Sequence, residues 1–322
     1  SFTIVSLESL FTGAFSAGID INNNNSAIGL ADNGTAMKAV RWDLTSAFPA
    51  VTVLEPLAGN SYSAAYAIND AGISVGESEN AATTTAVFWP AASTTATVLP
   101  TDGLFAAGAS TAYGINELGQ IVGEAGNDIE DNTVAVYWPN KTSSPLKLAN
   151  LGTLTEAYSA AYGVGETGII VGESLDDSSA VQAVAWLPDG AGGYSAPVVL
   201  PTLTNHVAGI ALNIDEAGRV VGESEEIDGT VHGVIWTLDS LGVTTNLADL
   251  GPATSATDIN PAGRVAGYTE AATSNDSARI WDGLTIADQK ELAPTFSHGY
   301  GINNDSQVVG TADGEGFVAF PQ

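Results

Sequence analysis

Apolar and polar positions recur along the chain in one pattern, seven times over. A short apolar stretch ends in Asn or Asp, a polar turn follows, and a second stretch opens with successive aliphatics and a glycine. The segments are GIDINNNNSAIGLA from Gly18, YAINDAGISVGES from Tyr66, YGINELGQIVGEA from Tyr113 and YGVGETGIIVGES from Tyr162. LNIDEAGRVVGES from Leu212, TDINPAGRVAGYT from Thr257 and YGINNDSQVVGTA from Tyr300 complete the set. Ile21, Ile68, Ile115, Val164, Ile214, Ile259 and Ile302 align at spacings of 43 to 50 residues. That is the period of propeller blades.

A second motif follows each first one: AVRW, AVFW, AVYW, AVAW, GVIW, ARIW and FVAF. It ends at Trp42, Trp89, Trp138, Trp186, Trp236, Trp281 and Phe320, so all six tryptophans of the chain share one register. A third, weaker motif is an aliphatic strand such as TVLEPL at Thr52 or PVVLPTL at Pro197. Each unit therefore reads as four short strands, A to D. Between A and B, an Asn or Asp bonds its own backbone ahead and a Gly supplies positive φ three residues on. Asn69 with Gly72 and Asn116 with Gly119 show this turn, whereas Gly165 replaces the Asn in the fourth unit. No segment sustains a 3.6-residue apolar period. The expected fold is all-β: a seven-bladed β-propeller of four-stranded antiparallel blades, one domain over residues 1–322.

The chain stops just after strand C of unit seven, and the missing strand D is present as Phe2 to Leu10. The N-terminal strand, within residues 1–10, is expected to complete the last blade. It does so in cis, or it is donated to a neighbouring subunit to make a homo-polymer. Alternation places Val87 and Trp89 on one side of strand C, expected to face the next blade.

Charge narrows the partners. Asp and Glu number 37 against 8 Lys and Arg, a net charge of −29. Nucleic-acid binding runs on Lys and Arg contacts to phosphate, so it is excluded, and anionic membrane surfaces are disfavoured. Cations, cationic surfaces and neutral carbohydrate remain. No cysteine is present, which removes disulfides and thiolate chemistry. No apolar run approaches membrane-spanning length. The chain opens at Ser1 without a basic-then-apolar leader, as expected of a secreted protein whose signal peptide has been removed.

The AYGIN–NDxG–xVVG–xxW pattern, in seven copies over nearly the whole chain, resembles the HAF repeat, a family of extracellular bacterial repeat proteins. The His-Ala-Phe of the family name is kept only in part, as His232-Gly233-Val234; Lys38, Thr85, Val134, Gln182, Ser277 and Gly316 stand there in the other units. The resemblance implies a secreted repeat fold and brings no reaction with it.

In an up-and-down meander the B–C and D–A loops share one face, and candidate chemistry gathers there. The B–C loops are acidic: Asp128, Glu130 and Asp131; Asp176 and Asp177; Glu225, Glu226 and Asp228. Such loops could hold Ca²⁺ as a cofactor, although neither EF-hand nor nonapeptide spacing occurs. Strand B ends in Glu77, Glu124, Glu173 and Glu223 in four consecutive units. The D–A loops carry Phe15, Tyr62, Tyr158 and Phe296, each followed by Ser, with Phe105 and His206 nearby in two others. Rings beside carboxylates and hydroxyls suit a carbohydrate ligand; rings packed as lids over the core are the plainer reading. His206, His232 and His298 fall in three different units and registers, so no metal triad is expected. No nucleophile elbow, H-E-x-x-H or phosphate loop occurs. The expected function is a secreted, non-catalytic propeller for cell-surface binding, adhesion or filament-like self-assembly. The alternative is a glycan-processing enzyme, for instance a lyase using His298 with Tyr300.

Overall fold

Each repeat folds as one four-stranded antiparallel sheet in the computed structural model, which describes residues 1–104, 109–127, 132–153, 158–270, 276–283, 289–293 and 296–322. Within every sheet the strands lie side by side in the order A, B, C, D. In blade 3 they are Ser110–Ile115, Ile121–Asn127, Asn132–Trp138 and Leu146–Lys147. Seven such sheets make a seven-bladed β-propeller, and the described residues contain no helix. None of them is therefore part of a helix long and apolar enough to cross a membrane.

Blade 7 closes the ring. Its strands are Ser297–Ile302, Val308–Ala312, Glu315–Pro321 and, from the other end of the chain, Phe2–Leu7. Phe2 stands opposite Pro321 and Leu7 opposite Gly316, in the same molecule. The closing strand ends three residues before the expected Leu10. Leu7 is fully buried against Val318 and Trp42, which ties blade 7 to blade 1.

Two polar clasps join neighbouring blades. At the A–B turn the Asn side chain works in two directions. Asn69 Oδ1 accepts the Ile73 N–H of its own turn at 3.0 Å, and its Nδ2 donates to the Asn116 carbonyl of the next blade at 3.2 Å. The same outward donation runs from Asn22 to Asn69, from Asn116 to Gly165, from Asn260 to Asn303 and from Asn303 to Asn22. An amide supplies both an acceptor and a donor where an ionised carboxylate only accepts, and Asp215, at this position in blade 5, keeps the turn bond alone. The opposite end of strand A begins with a hydroxyl. Ser63 Oγ accepts the Ala39 N–H of the preceding blade at 3.0 Å, and Ser16, Ser110, Ser159, Thr254 and Ser297 repeat the contact. The serine after each D–A aromatic is thus part of the frame.

The six tryptophans are fully buried. They pack on the preceding blade, not the next as expected. Val87 and Trp89 of blade 2 lie with Ile28, Ala39 and Leu54 of blade 1. The indole N–H of Trp89 donates to the Glu55 carbonyl at 2.9 Å, just beyond strand D of that blade. Trp42, Trp138, Trp186 and Trp236 do the same with Glu8, Pro100, Ala149 and Pro201. Alternation tells which residues share a side; the handedness of the ring decides which neighbour that side meets.

Candidate functional site

The central channel is lined by residues that a strict two-residue alternation would misplace. Strand A of every blade carries a bulge. Its ladder with strand B shifts between Ala65 and Ala67, between Ala112 and Gly114, and between Ala161 and Gly163. A bulge leaves one residue without an opposite number and re-aims its side chain. Here those residues are Tyr66, Tyr113 and Tyr162, with Ile19, Leu212, Thr257 and Tyr300 at the equivalent sites. All seven line a cavity of about 290 Å³ on the propeller axis. The glycine of strand B makes the bulge possible. A Cβ on Gly123 would stand 1.9 Å from the Thr111 carbonyl oxygen, and one on Gly172 would stand 2.0 Å from that of Ala160.

Eleven residues after each of the three tyrosines comes a glutamate, and the two meet. Tyr66 donates to Glu77 at 2.8 Å, Tyr113 to Glu124 at 2.8 Å and Tyr162 to Glu173 at 2.6 Å. Thr111 and Thr133 add bonds to Glu77 and Glu124. Glu223 of blade 5 accepts from Ser255. The rings of Tyr66, Tyr113 and Tyr162 follow one another at 5.6 and 5.2 Å between centroids, tilted by 49° and 56°. Four carboxylates and a row of phenols thus form a crescent around one side of the mouth. Burial, first, and the neighbouring negative charges raise the carboxyl pKa of Glu77, Glu124 and Glu223. Among the described residues no Lys or Arg pairs with any carboxylate of the crescent.

Of the residues singled out from sequence, Tyr62 and Tyr158 join this crescent. Tyr158 donates to Glu173 at 2.7 Å, and Tyr62 stands beside Tyr66 and Glu77. Phe15 and Phe296 do not; both are exposed, and Phe296 has a positive φ. Phe105, Asp128, Glu130 and Asp131 lie outside the described residues. The remaining acidic loop residues do not converge. Asp176 caps its own turn through Ser178 and Ala180, Asp177 accepts from Thr153 at 2.6 Å, and Asp228 caps the turn at Thr230. Glu225 lies in strand B of blade 5, opposite Ala208, and the neighbouring Glu226 bonds His232.

The histidines sit differently from the expectation. His206 opens strand A of blade 5 and His232 lies in strand C of the same blade, so the two share one sheet. His298 Nδ1 lies 3.1 Å from the Tyr300 hydroxyl and its Nε2 lies 2.9 Å from Asp276, while its ring stacks on Tyr268 at 4.1 Å. Burial raises the Tyr300 phenol.

The other mouth of the channel is also acidic, yet its groups are spent on the frame. Asp70 accepts the Asn23 N–H, Glu117 the Asp70 N–H, and Glu166 the Glu117 N–H, each across a blade boundary. Deeper in, Asp20 bridges to Ile68 N–H at 2.8 Å and Asp258 to Ile302 N–H at 2.7 Å. Burial foremost, then the nearby Asp258 charge, pushes Asp20 up to about 8; burial pushes Asp258 up to about 6.

A family model described as a protein of unknown function, DUF3466, matches residues 53–135, about a quarter of the chain. No curated protein matches it. Solved structures similar to the chain include the β-propeller domain of Cps50 (Swd1) from Myceliophteria thermophila, at 10% identity and a TM-score of 0.56 over 99% of this chain and 100% of that one. YCF48 from Cyanidioschyzon merolae is similar at 10% identity and a TM-score of 0.54 over 100% and 99%. A prolyl endopeptidase is similar at 11% identity and a TM-score of 0.60 over 92% of this chain, which spans 46% of the endopeptidase. At such identities the likeness is one of fold alone.

Proposed function

We propose that the protein is a secreted, non-catalytic binding propeller, and that the tyrosine–glutamate crescent takes a ligand bearing amine or guanidinium groups. The observation that carries this reading is the row of three Tyr–Glu pairs with Glu223 beside them, desolvated and, among the described residues, without a basic partner. Holding Glu77, Glu124 and Glu223 there as anions costs free energy that an incoming cation would offset. A neutral sugar is less well matched, because the three rings tilt toward one another and leave little free face for stacking. The crescent presents acceptors to the solvent and few donors.

The glycan-lyase alternative rests on the Asp276–His298–Tyr300 chain. Burial raises the Tyr300 phenol instead of lowering it, and both nitrogens of His298 are engaged. A uronate substrate would also meet four carboxylates. For self-assembly, the six residues of the closing strand would find the same register on the last strand of another copy.

Calorimetric titration with spermidine tests the reading. The expected result is binding that weakens at least tenfold in Glu124→Gln, weakens with added salt and weakens as pH falls from 8 to 5. Equal affinity in wild type and in Glu77→Gln, Glu124→Gln and Glu173→Gln would remove the crescent from consideration. Binding of neutral oligosaccharides in place of spermidine would remove the cation.

A further inference from the structure

Blade 5 departs from the repeat at one place. Its strand A is extended to His206–Ile214 and its strand D to Thr244–Pro252. Beyond the bulge that every blade shares, its ladders are broken between His206 and Ala208 and again between His232 and Val234. These two breaks adjoin histidines, a third lying between Thr237 and Leu238, and bulges re-aim side chains. The two imidazoles meet edge to face, with centroids 4.7 Å apart and planes at 86°. One ligand atom from each of His206, Glu226 and His232 lies within 4.8 Å of the other two, the one such trio among the described residues.

The second nitrogens are already oriented. His206 Nδ1 lies 3.0 Å from Ser224 Oγ, and its Nε2 has no hydrogen-bond partner among the described residues. His232 Nδ1 lies 3.0 Å from Asp249 Oδ1, and its Nε2 lies 3.0 Å from Glu226 Oε1. Asp249 is itself fixed by the Gly251 N–H at 2.7 Å. An oxygen partner on one imidazole nitrogen sets the ring orientation of a metal ligand and raises its basicity.

This arrangement is made at the expense of the frame. Gly251 follows the buried Leu250, as Glu55 follows Leu54, yet its carbonyl accepts from Thr254 at 2.6 Å instead of from an indole. The Trp281 N–H of the following blade is left buried without a partner among the described residues. Blade 5 also has Gly209 near the start of strand A, where the hydroxyl clasp stands in the other six blades. Local rules broken together in one unit mark a site held for something other than stability.

We propose that His206, Glu226 and His232 form a binding site for a divalent metal ion of the zinc class, with Ser224 and Asp249 as positioning residues. Two imidazoles and one carboxylate suit a borderline ion with a fourth position left open. Calcium requires six to eight oxygens and is a poor match. Bonds of about 2.0–2.1 Å in a tetrahedron place ligand atoms roughly 3.3–3.4 Å apart. The His232 Nε2–Glu226 Oε1 pair, 3.0 Å apart, therefore opens by a few tenths of an ångström as the ion enters between them. The site is separate from the crescent and does not depend on it.

The test uses the full chain, stripped with chelator, titrated with Zn²⁺ by calorimetry and with Co²⁺ by visible absorption. The expected result is one Zn²⁺ per chain and the intense absorption of tetrahedral Co²⁺. Affinity should fall at least 100-fold in His206→Ala and His232→Ala, fall 10- to 100-fold in Asp249→Asn, and stay unchanged in His298→Ala. Glu226→Gln, which keeps the side-chain shape, should also lose the Co²⁺ band while its urea transition without metal matches wild type. Weak, superstoichiometric binding that is equal in wild type and His206→Ala would overturn the site as adsorption to an acidic surface. A weak octahedral Co²⁺ spectrum in the wild-type chain would overturn it without recourse to any variant.

Discussion

Gly165 and Asp215 are the two positions at which the ring of asparagine clasps is open, and replacing Gly165 should close the first gap. It occupies in blade 4 the place held by Asn22, Asn69 and Asn116 in the three preceding blades. Its backbone already makes the turn bonds of its neighbours, with Gly165 N–H on the Ile169 carbonyl and Gly168 N–H on the Gly165 carbonyl, both at 2.9 Å. A Cβ built there lies 3.4 Å from Ile214 Cγ2 and 3.8 Å from the Asp215 carbonyl oxygen, which is ordinary contact, and its φ is not positive. In Gly165→Asn the Nδ2 would reach the Asp215 carbonyl, and the Oδ1 would reach the Ile169 N–H. A net intramolecular hydrogen bond contributes about 1 kcal/mol. Removing glycine from the unfolded chain adds about 0.4–1 kcal/mol. The expected gain is therefore about 1–3 kcal/mol, read as a rise in the urea midpoint of tryptophan fluorescence at unchanged m-value. Asn69→Asp should move the other way at pH 8, because it keeps the acceptor and aims a carboxylate at the Asn116 carbonyl. Its deficit should shrink as pH falls and the acid regains a donor. A Gly165→Asn protein no more stable than wild type, paired with a harmless Asn69→Asp, would refute the clasp.

Three further outcomes follow from the same geometry. Asp20 and Asp258 hold protons in the folded state to about pH 8 and about pH 6, against about 4 when unfolded. The folded state thus binds more protons between those limits, so stability should fall as pH rises from about 4 to about 8 and level off above. Asp20→Asn should flatten that slope, being the weaker protein at pH 4.5 and the stronger at pH 9 in denaturant titrations; parallel curves would contradict the assignment. Gly123→Ala should cost about 3 kcal/mol or more through the clash with the Thr111 carbonyl, seen as a lowered melting temperature or loss of soluble protein. Removing residues 1–10 should expose the last strand and lower the melting temperature. A synthetic peptide of residues 1–10 should restore it, and failure to do so would count against strand exchange between copies.

The repeat, the four strands of each blade and the completion of the last blade by the N-terminal strand were legible in the sequence, whereas the choice of cis closure by Phe2–Leu7 over donation to a neighbour was not. Each legible feature depends on local pattern: aligned Ile and Trp positions, turn chemistry and a missing strand at one end matched by a surplus at the other. What the sequence concealed was direction and convergence. Trp89 faces blade 1 and not blade 3 because the sense of the ring is a global property. Tyr66, Tyr113 and Tyr162 read as ordinary strand residues because one bulge per strand A shifts the alternation by a single place. Their constant spacing of 11 to Glu77, Glu124 and Glu173 was the available signal. His206 and His232 were assigned to separate units because strand A of blade 5 begins early. The asparagines were read as turn residues, which they are. Their second role needs the neighbouring blade, 47 residues on in the first two units.

Carbon-13 NMR of the chain labelled at the tyrosine ring ε positions, titrated with spermidine, addresses the central claim most directly. Tyr66, Tyr113 and Tyr162 of the crescent should shift together, while the Tyr137–Tyr194 pair, 5.0 Å apart beside the Gly168 turn, should stay still. Shifts confined to Tyr137 and Tyr194, or none in the crescent at saturating spermidine, would contradict a cation-binding mouth.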